Sequence, residues 1–330
     1  MMKIVVFGPD RRTGLLRDGL VVDLSYAGAK YLHEHDGAYR PLELAEALLP
    51  SDLARLIAGG PAALELAQTA TDYLFSQALD YTDPRGETLV HPVGQVQLHA
   101  PRPNGTRVAC AGSNFITHRQ RMVRRAGREE REPFIWGFWK IANEAVGPDG
   151  TMIYPGRCDR LDYEGEVAII LGRQGKDLSQ ADLADFVWGV TLCCDWSIRG
   201  PREPMGPMNF AVQKNFDTSL SLGPCIVVGG VDATNIDFET YVNGERRQAN
   251  NTSEMVFSFG AYLEYLSRDL TLYPGDIICS GTGQGTVADA ASALPDGAES
   301  PDMFLKPGDV VDVVSLTIGT LRTRIAAKDL

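Results

Sequence analysis

Asp162-Tyr163-Glu164-Gly165-Glu166-Val167-Ala168-Ile169-Ile170-Leu171 is the stretch whose reading decides both fold and chemistry. Its second half is an unbroken apolar run of strand length. Along a strand, residues i and i+2 face the same way, so Glu164 and Glu166 project together. Gly165 between them leaves the opposite face bare and allows a close approach to the backbone there. Two adjacent anions on one face repel each other unless a cation lies between them or one holds a proton. The alternative is a solvent-facing strand edge. A third acid, Asp195, ends the apolar run 187–192 through Cys193-Cys194-Asp195-Trp196. A charge just past a buried strand is costly without a partner. Three carboxylates with no His or Cys among them specify a hard cation, Mg²⁺, Mn²⁺ or Ca²⁺, over zinc.

Outward from this stretch the texture is that of a β-rich chain. Short β-branched runs recur at 167–171, 187–192, 225–228, 276–279 and 310–315, separated by Pro148-Asp149-Gly150, Pro274-Gly275-Asp276 and Pro307-Gly308-Asp309. That pattern suits a mixed or antiparallel sheet rather than alternating βαβ units. One helix is expected near 257–266. Toward the N-terminus, 3–7 reads as a first strand and Asp18-Gly19 as a hairpin turn. Segments 41–58 and 61–74 read as helices, each opening with Pro, and 95–98 is strand-like. Pro101-Arg102-Pro103-Asn104-Gly105 is the natural boundary. The expected fold is therefore α+β and β-rich, with a small N-terminal α+β domain at 1–103 and a catalytic, metal-binding domain at 104–330.

Composition narrows the function classes. A net charge of −12 over 330 residues argues against nonspecific nucleic-acid binding and against adhesion to anionic lipid. No apolar run approaches the roughly 20 residues of a membrane span, and the first residues lack the form of a signal peptide. The six cysteines show no CxxC spacing and read as reduced, buried thiols. Together these features predict a cytoplasmic protein. The run 119–132 is dense in both charge signs and reads as a solvated helix or loop.

The motifs, taken in order, resemble the fumarylacetoacetate hydrolase family. Gly112-Ser113-Asn114-Phe115-Ile116-Thr117-His118 is similar to its Gly-x-Asn-Tyr-x-x-His. Phe138-Trp139-Lys140 with Val146-Gly147-Pro148 is similar to its F-x-K…GP segment. Tyr163-Glu164-Gly165-Glu166 resembles its E-x-E, and Asp195-Trp196-Ser197-Ile198-Arg199 its D-x-[ST]-x-R. Lys214-Asn215-Phe216-Asp217-Thr218, then Gly281-Thr282-Gly283, continue the series over about residues 105–325.

The resemblance implies a β-roll-like mixed sandwich, usually dimeric, with one divalent cation held by Glu164, Glu166 and Asp195. It implies a 2-keto acid as substrate, whose carboxylate and keto oxygens form a natural chelate. His118 is the expected general base. Lys214 is expected to neutralise the substrate carboxylate or an oxyanion, Arg199 to orient acids or substrate, and Thr282 to offer its hydroxyl and N–H to a carboxylate. Asn114, Phe115, Lys140 and Gly281 join the expected substrate-binding set, and Trp136, Phe138 and Trp139 line either an apolar tail or the core.

Two positions depart from the family pattern. Arg121 stands where hydrolytic members often have Glu, and Arg202 where they often have Gln. Both add positive charge and point to a second anionic group on the substrate. The acid partner of His118 is then to be sought among Glu129, Glu130, Glu132 and Asp289. The expected activity is hydrolysis of a carbon–carbon bond in a diketo acid or acylpyruvate through a metal-stabilised enolate. The alternative is a lyase or isomerase using the same site, and a non-catalytic binding protein is the third possibility.

Overall fold

The computed structural model describes residues 1–77, 81–82, 85–125, 132–141, 144–201, 210–292 and 300–328. Its centre is a large mixed sheet whose strands lie in the order Val90–Pro92, Leu20–Asp23, Arg12–Arg17, Met2–Phe7, Leu220–Val228, Val187–Asp195, Gly165–Leu171, Ile277–Cys279, Val108–Ala111 and Gly137–Lys140, with Leu98–His99 also paired to Met2–Phe7. A second sheet runs Glu245–Asn251, Asp237–Val242, Val310–Ser315, Gly319–Ala326 and Gly150–Ile153. Ser197–Pro201 and Cys158–Asp162 make a separate ribbon.

Every residue of Gly165–Leu171 is buried, as its unbroken apolar run requires: a strand without alternation needs cover on both faces. Val167, Ile169, Val190 and Leu192 share one core cluster with Phe238, Val311, Val313 and Leu321 of the second sheet. Ala168, Ile170 and Ile226 share the other cluster with Leu56, Ile57, Ala63 and Ala67 from the helices Leu53–Ala58 and Gly60–Ser76. The molecule is thus layered: helices, large sheet, small sheet. This is the α+β, strand-rich class expected.

The bare face at Gly165 is used as the sequence suggests. A Cβ there would meet Thr240 Oγ1 at 2.0 Å, so the absence of a side chain lets the second sheet close on the strand. The Asp18-Gly19 hairpin also forms, with both residues at positive φ (51° and 77°), as the tight turn between Arg12–Arg17 and Leu20–Asp23 demands.

Other readings are corrected. Residues 41–58 form two helices, Pro41–Leu48 and Leu53–Ala58; Pro50 intervenes, and Asp52 caps the second by accepting from Arg55 N–H at 2.9 Å. Within 95–98 only Leu98 is in a strand, next to a 3₁₀ turn Val93–Gln95. An unexpected helix, Leu24–Glu34, starts where Asp23 accepts from Tyr26 N–H. Across the expected boundary after 103, Met2–Phe7 pairs antiparallel with Leu220–Val228, Ile4 opposite Ile226. Ile4, Val5, Val6 and Phe7 are all buried, so both faces of this strand are covered. No helix among the described residues is long and apolar enough to cross a membrane.

Candidate active site

Antiparallel pairing sets Gly165 opposite Cys194 and Glu166 opposite Cys193. This register brings the end of Val187–Asp195 beside Glu164, whose carbonyl accepts the Asp195 N–H at 2.9 Å. One carboxylate oxygen from each of Glu164, Glu166 and Asp195 lies within 4.8 Å of the others. All three side chains are buried. The two acids read from adjacent positions and the one ending another strand therefore converge.

Three cations surround the triad. Lys214 Nζ donates to Glu164 Oε2 (2.5 Å), Asp195 Oδ2 (2.9 Å) and Ser197 Oγ (2.6 Å). Lys140 Nζ lies 2.5 Å from Asp195 Oδ1 and donates to the carbonyls of Lys214 and Ser219. Arg199 pairs with Glu164 and, through Nε at 3.0 Å, with Asp162. Burial opposes the charge of Glu164, but Lys214 and Arg199 outweigh it and hold its carboxyl well below the usual range. Burial also opposes the charge of Lys214; Asp195 and Glu164 prevail, and the ammonium is held more firmly protonated than usual.

Glu166 differs. It accepts from Gly281 N–H at 3.0 Å and has no ion-pair partner among the described residues. Burial, then the charges of Asp195 and Glu164, push its carboxyl well above the ordinary value. A hard divalent cation fits this donor set: three converging carboxylates, one of them uncompensated. Gly281 has a left-handed backbone (φ 78°) that aims its N–H at Glu166, and a Cβ there would sit 3.0 Å from the Ala111 carbonyl oxygen.

Beside the triad lies a His–Asp pair. His118, on the helix Ile116–Arg125, holds Asp289 through Nδ1 at 2.9 and 3.0 Å to the two carboxylate oxygens. Both residues are buried. Burial opposes the charge of Asp289, yet the His118 hydrogen bond and charge and the N–H groups of Gly285 and Thr286 keep its carboxyl below the usual range. Among the described residues, Asp289 is thus the acid of those considered that partners His118. Glu129 and Glu130 lie outside the described residues. The available signal was Thr286-Val287-Ala288-Asp289: Thr286 Oγ1 accepts from Asp289 N–H and Asp289 Oδ2 from Thr286 N–H, a capping box that opens Val287–Ser292.

Asp162, given no role in the sequence reading, connects the two groups. Its oxygens accept from Val287 N–H (2.9 Å) and Ala288 N–H (3.1 Å), at the start of the helix that carries Asp289, and from Arg199. Arg199 in turn holds Glu164. Through Asp162 and Arg199, hydrogen bonds join the helix of the His118–Asp289 pair to the triad.

The remaining expected residues divide. Asn114 is turned to the backbone: its amide bonds Phe257 N–H, Phe257 C=O and Ser280 C=O, leaving the side chain as a loop clamp. Phe115 is fully buried edge-on to Phe238 in the core. Lys140 supports Asp195 from a fully buried position rather than reaching outward. Thr282 Oγ1 donates to Gly165 C=O (3.0 Å) and accepts from Gln248 (2.8 Å), so its hydroxyl braces the strand of the acids. Of the aromatic trio, the Phe138 ring lies 5.3 Å from Lys214 Nζ, Trp136 packs on Gly112, and Trp139 stands by Arg107. Arg121 is half-buried one helical turn beyond His118. Arg202 lies outside the described residues.

Comparison with known proteins adds a family and relatives. The model described as fumarylacetoacetate (FAA) hydrolase C-terminal matches residues 107–326. An oxaloacetate tautomerase from Xenopus laevis, described as mitochondrial, is 30% identical over 321 residues, covering 94% of this chain and 86% of that protein. The oxaloacetate tautomerase YisK of Bacillus subtilis is 31% identical over 241 residues, 72% of this chain and 76% of that protein. Among solved structures, maleylpyruvate hydrolase from Sphingobium sp. SYK-6 in complex with manganese(II) and pyruvate superposes with a TM-score of 0.69 at 21% identity, covering 99% and 100% of the two chains.

Proposed function

Because this chain belongs to the fumarylacetoacetate hydrolase family, we propose that it is a divalent-metal-dependent isomerase that interconverts the keto and enol forms of a short 2-keto dicarboxylic acid of the oxaloacetate type. This replaces carbon–carbon hydrolysis, expected from the motifs, as the leading reading. Its relatives named as oxaloacetate tautomerases support the change. The observation that carries it is the buried His118–Asp289 pair set beside the triad of Glu164, Glu166 and Asp195. Keto–enol exchange needs one proton moved and no nucleophile.

Glu164, Glu166 and Asp195 would hold the cation, Mg²⁺ or Mn²⁺; the solved maleylpyruvate hydrolase complex contains manganese. When bound, such a cation polarises the keto oxygen of a 2-keto acid and favours its enol form. Asp289 receives the Nδ1–H of His118 and fixes the tautomer in which Nε2 is the free base. Nε2 then takes a proton from the carbon next to the keto group and passes it to the former keto oxygen, and the reverse direction runs the same transfer backwards. Lys214, between Glu164 and Asp195, offers positive charge near the substrate oxygens. Arg121 supplies charge for a second carboxylate from the His118 helix. Arg199 and Asp162 keep proton relay and metal ligands in register.

The experiment follows the enol absorbance of oxaloacetate after mixing with enzyme and Mn²⁺, with acylpyruvates tested in parallel for release of pyruvate. Rapid enol decay without pyruvate release is the expected result. Pyruvate release from an acylpyruvate, with enol decay no faster than in buffer, would return the reading to hydrolysis.

A further inference from the structure

Glu166 borders two neighbourhoods. One holds Glu164 and Asp195. The other holds three thiols that the proposed reaction does not use. Residues 166 and 168 share a face of their strand, and the pairing places Cys193 opposite Glu166, Cys279 opposite Ala168, and Cys110 opposite Cys279. Ala168 carries only a methyl group, so longer side chains on either side converge over it. The Sγ atoms of Cys193 and Cys279 and one Glu166 oxygen lie within 4.8 Å of one another, and Cys193 Sγ is 4.0 Å from Glu166 Oε2. Cys110 sits beside Cys279 on the neighbouring strand and in the same buried core. Cys110, Cys193 and Cys279 lie in the core on the helical side of the large sheet, and Cys194 and Cys225, with Cys158 of the ribbon, in the core on the other.

Thiolates are soft ligands, and three of them with one carboxylate make a tetrahedral set suited to zinc-like ions, unlike the all-oxygen triad. Zn–S bonds of about 2.3 Å put tetrahedral ligand atoms roughly 3.8 Å apart, so the Glu166, Cys193 and Cys279 side chains need close by only about an ångström, with Cys110 joining from the next strand. We infer that Cys110, Cys193, Cys279 and Glu166 form a second, thiophilic cation site for a divalent ion of the zinc type. Each thiol that binds releases its proton to solvent, and the ion draws the Glu166 carboxylate toward the sulfurs. A soft cation is therefore an antagonist of the hard one. That effect on activity rests on reading Glu166 as a ligand of the catalytic cation; binding at the thiols does not.

The test titrates Cd²⁺ into the chelator-stripped full chain and follows sulfur-to-cadmium charge-transfer absorbance. The expected result is a band that saturates at one equivalent in the wild type and in Asp195→Asn, and vanishes in the Cys193→Ser/Cys279→Ser variant. No band, or a band unchanged in that variant, overturns the site. Should the variant fail to fold, Co²⁺ in the wild type decides: intense visible bands of a tetrahedral, sulfur-bearing site support it, and weak octahedral bands alone overturn it. A cadmium band with undiminished Mn²⁺-dependent activity overturns the sharing of Glu166, whereas lost metal-dependent turnover in the absence of Cd²⁺ would bear only on the proposed reaction.

Discussion

At the scale of single residues, the site works through differences between like groups. Five buried acids, Asp162, Glu164, Glu166, Asp195 and Asp289, sit close together, yet their partners divide them. Asp289 is bound by one imidazole and two N–H groups. Asp289→Asn presents an amide that also accommodates the other tautomer of His118, so kcat is expected to fall by about 100-fold or more while Mn²⁺ binding stays intact; steady-state rates and a metal titration on the same preparation check this. Glu166 carries a raised carboxyl. Below that raised value it holds a proton that a bound cation must expel. Affinity for Mn²⁺ is therefore expected to rise with pH, by about tenfold per unit, until the carboxyl ionises unaided. Metal titrations across a pH series read the slope, and a flat profile would mean that Glu166 is already ionised. The convergence of Glu164, Glu166 and Asp195 was legible because a two-residue spacing on a strand fixes direction. The hydrogen bonds and packing of Asn114, Phe115 and Lys140 were not, because a motif states which residues occur and not what each side chain touches.

At the scale of elements, the layer between the sheets is the tightest constraint. Thr240 and Gln248 of the second sheet press on the backbone of Gly165. Gly165→Ala is expected to force the sheets apart and to destabilise the protein by about 1–3 kcal/mol, an overpacking cost, with weaker metal binding because Glu164 and Glu166 flank the displaced atom. Denaturant unfolding and a Mn²⁺ titration measure the two effects. Strands were easy to find from sequence where burial on both faces leaves a continuous apolar run, as in Gly165–Leu171. The helix Leu24–Glu34 was hard to find because its buried face includes Gly28, Ser25 and Lys30, which carry no apolar period. Asp289 fell between: its capping box was present in the sequence, but which acid meets His118 depends on contacts between helices far apart in the chain.

At the scale of the whole molecule, Ile141 and Leu270 are exposed and line a groove with Trp139 and Arg107, and Tyr273 stands exposed beside Arg107. A homodimer, implied by the family resemblance, would cover this apolar surface. Light scattering at micromolar concentration is expected to give twice the single-chain mass, with Ile141→Glu shifting it toward one chain if this face is the contact. The reading of two domains placed a boundary after 103, near the start of the family match at 107, but sequence could not reveal that strands on either side of it pair with each other. That pairing makes the first hundred residues an edge guard. Met2–Phe7 occupies the hydrogen-bonding rim of Leu220–Val228, next to the strand that ends in Asp195. A chain beginning at 104 would keep the carboxylate triad and the His118–Asp289 pair, yet it would leave the apolar edge of Ile226–Val228 unpaired and open to other molecules. Size-exclusion chromatography of such a truncation is expected to show self-association through open strands, whereas a soluble, active fragment would show that another element can take over the guarding role.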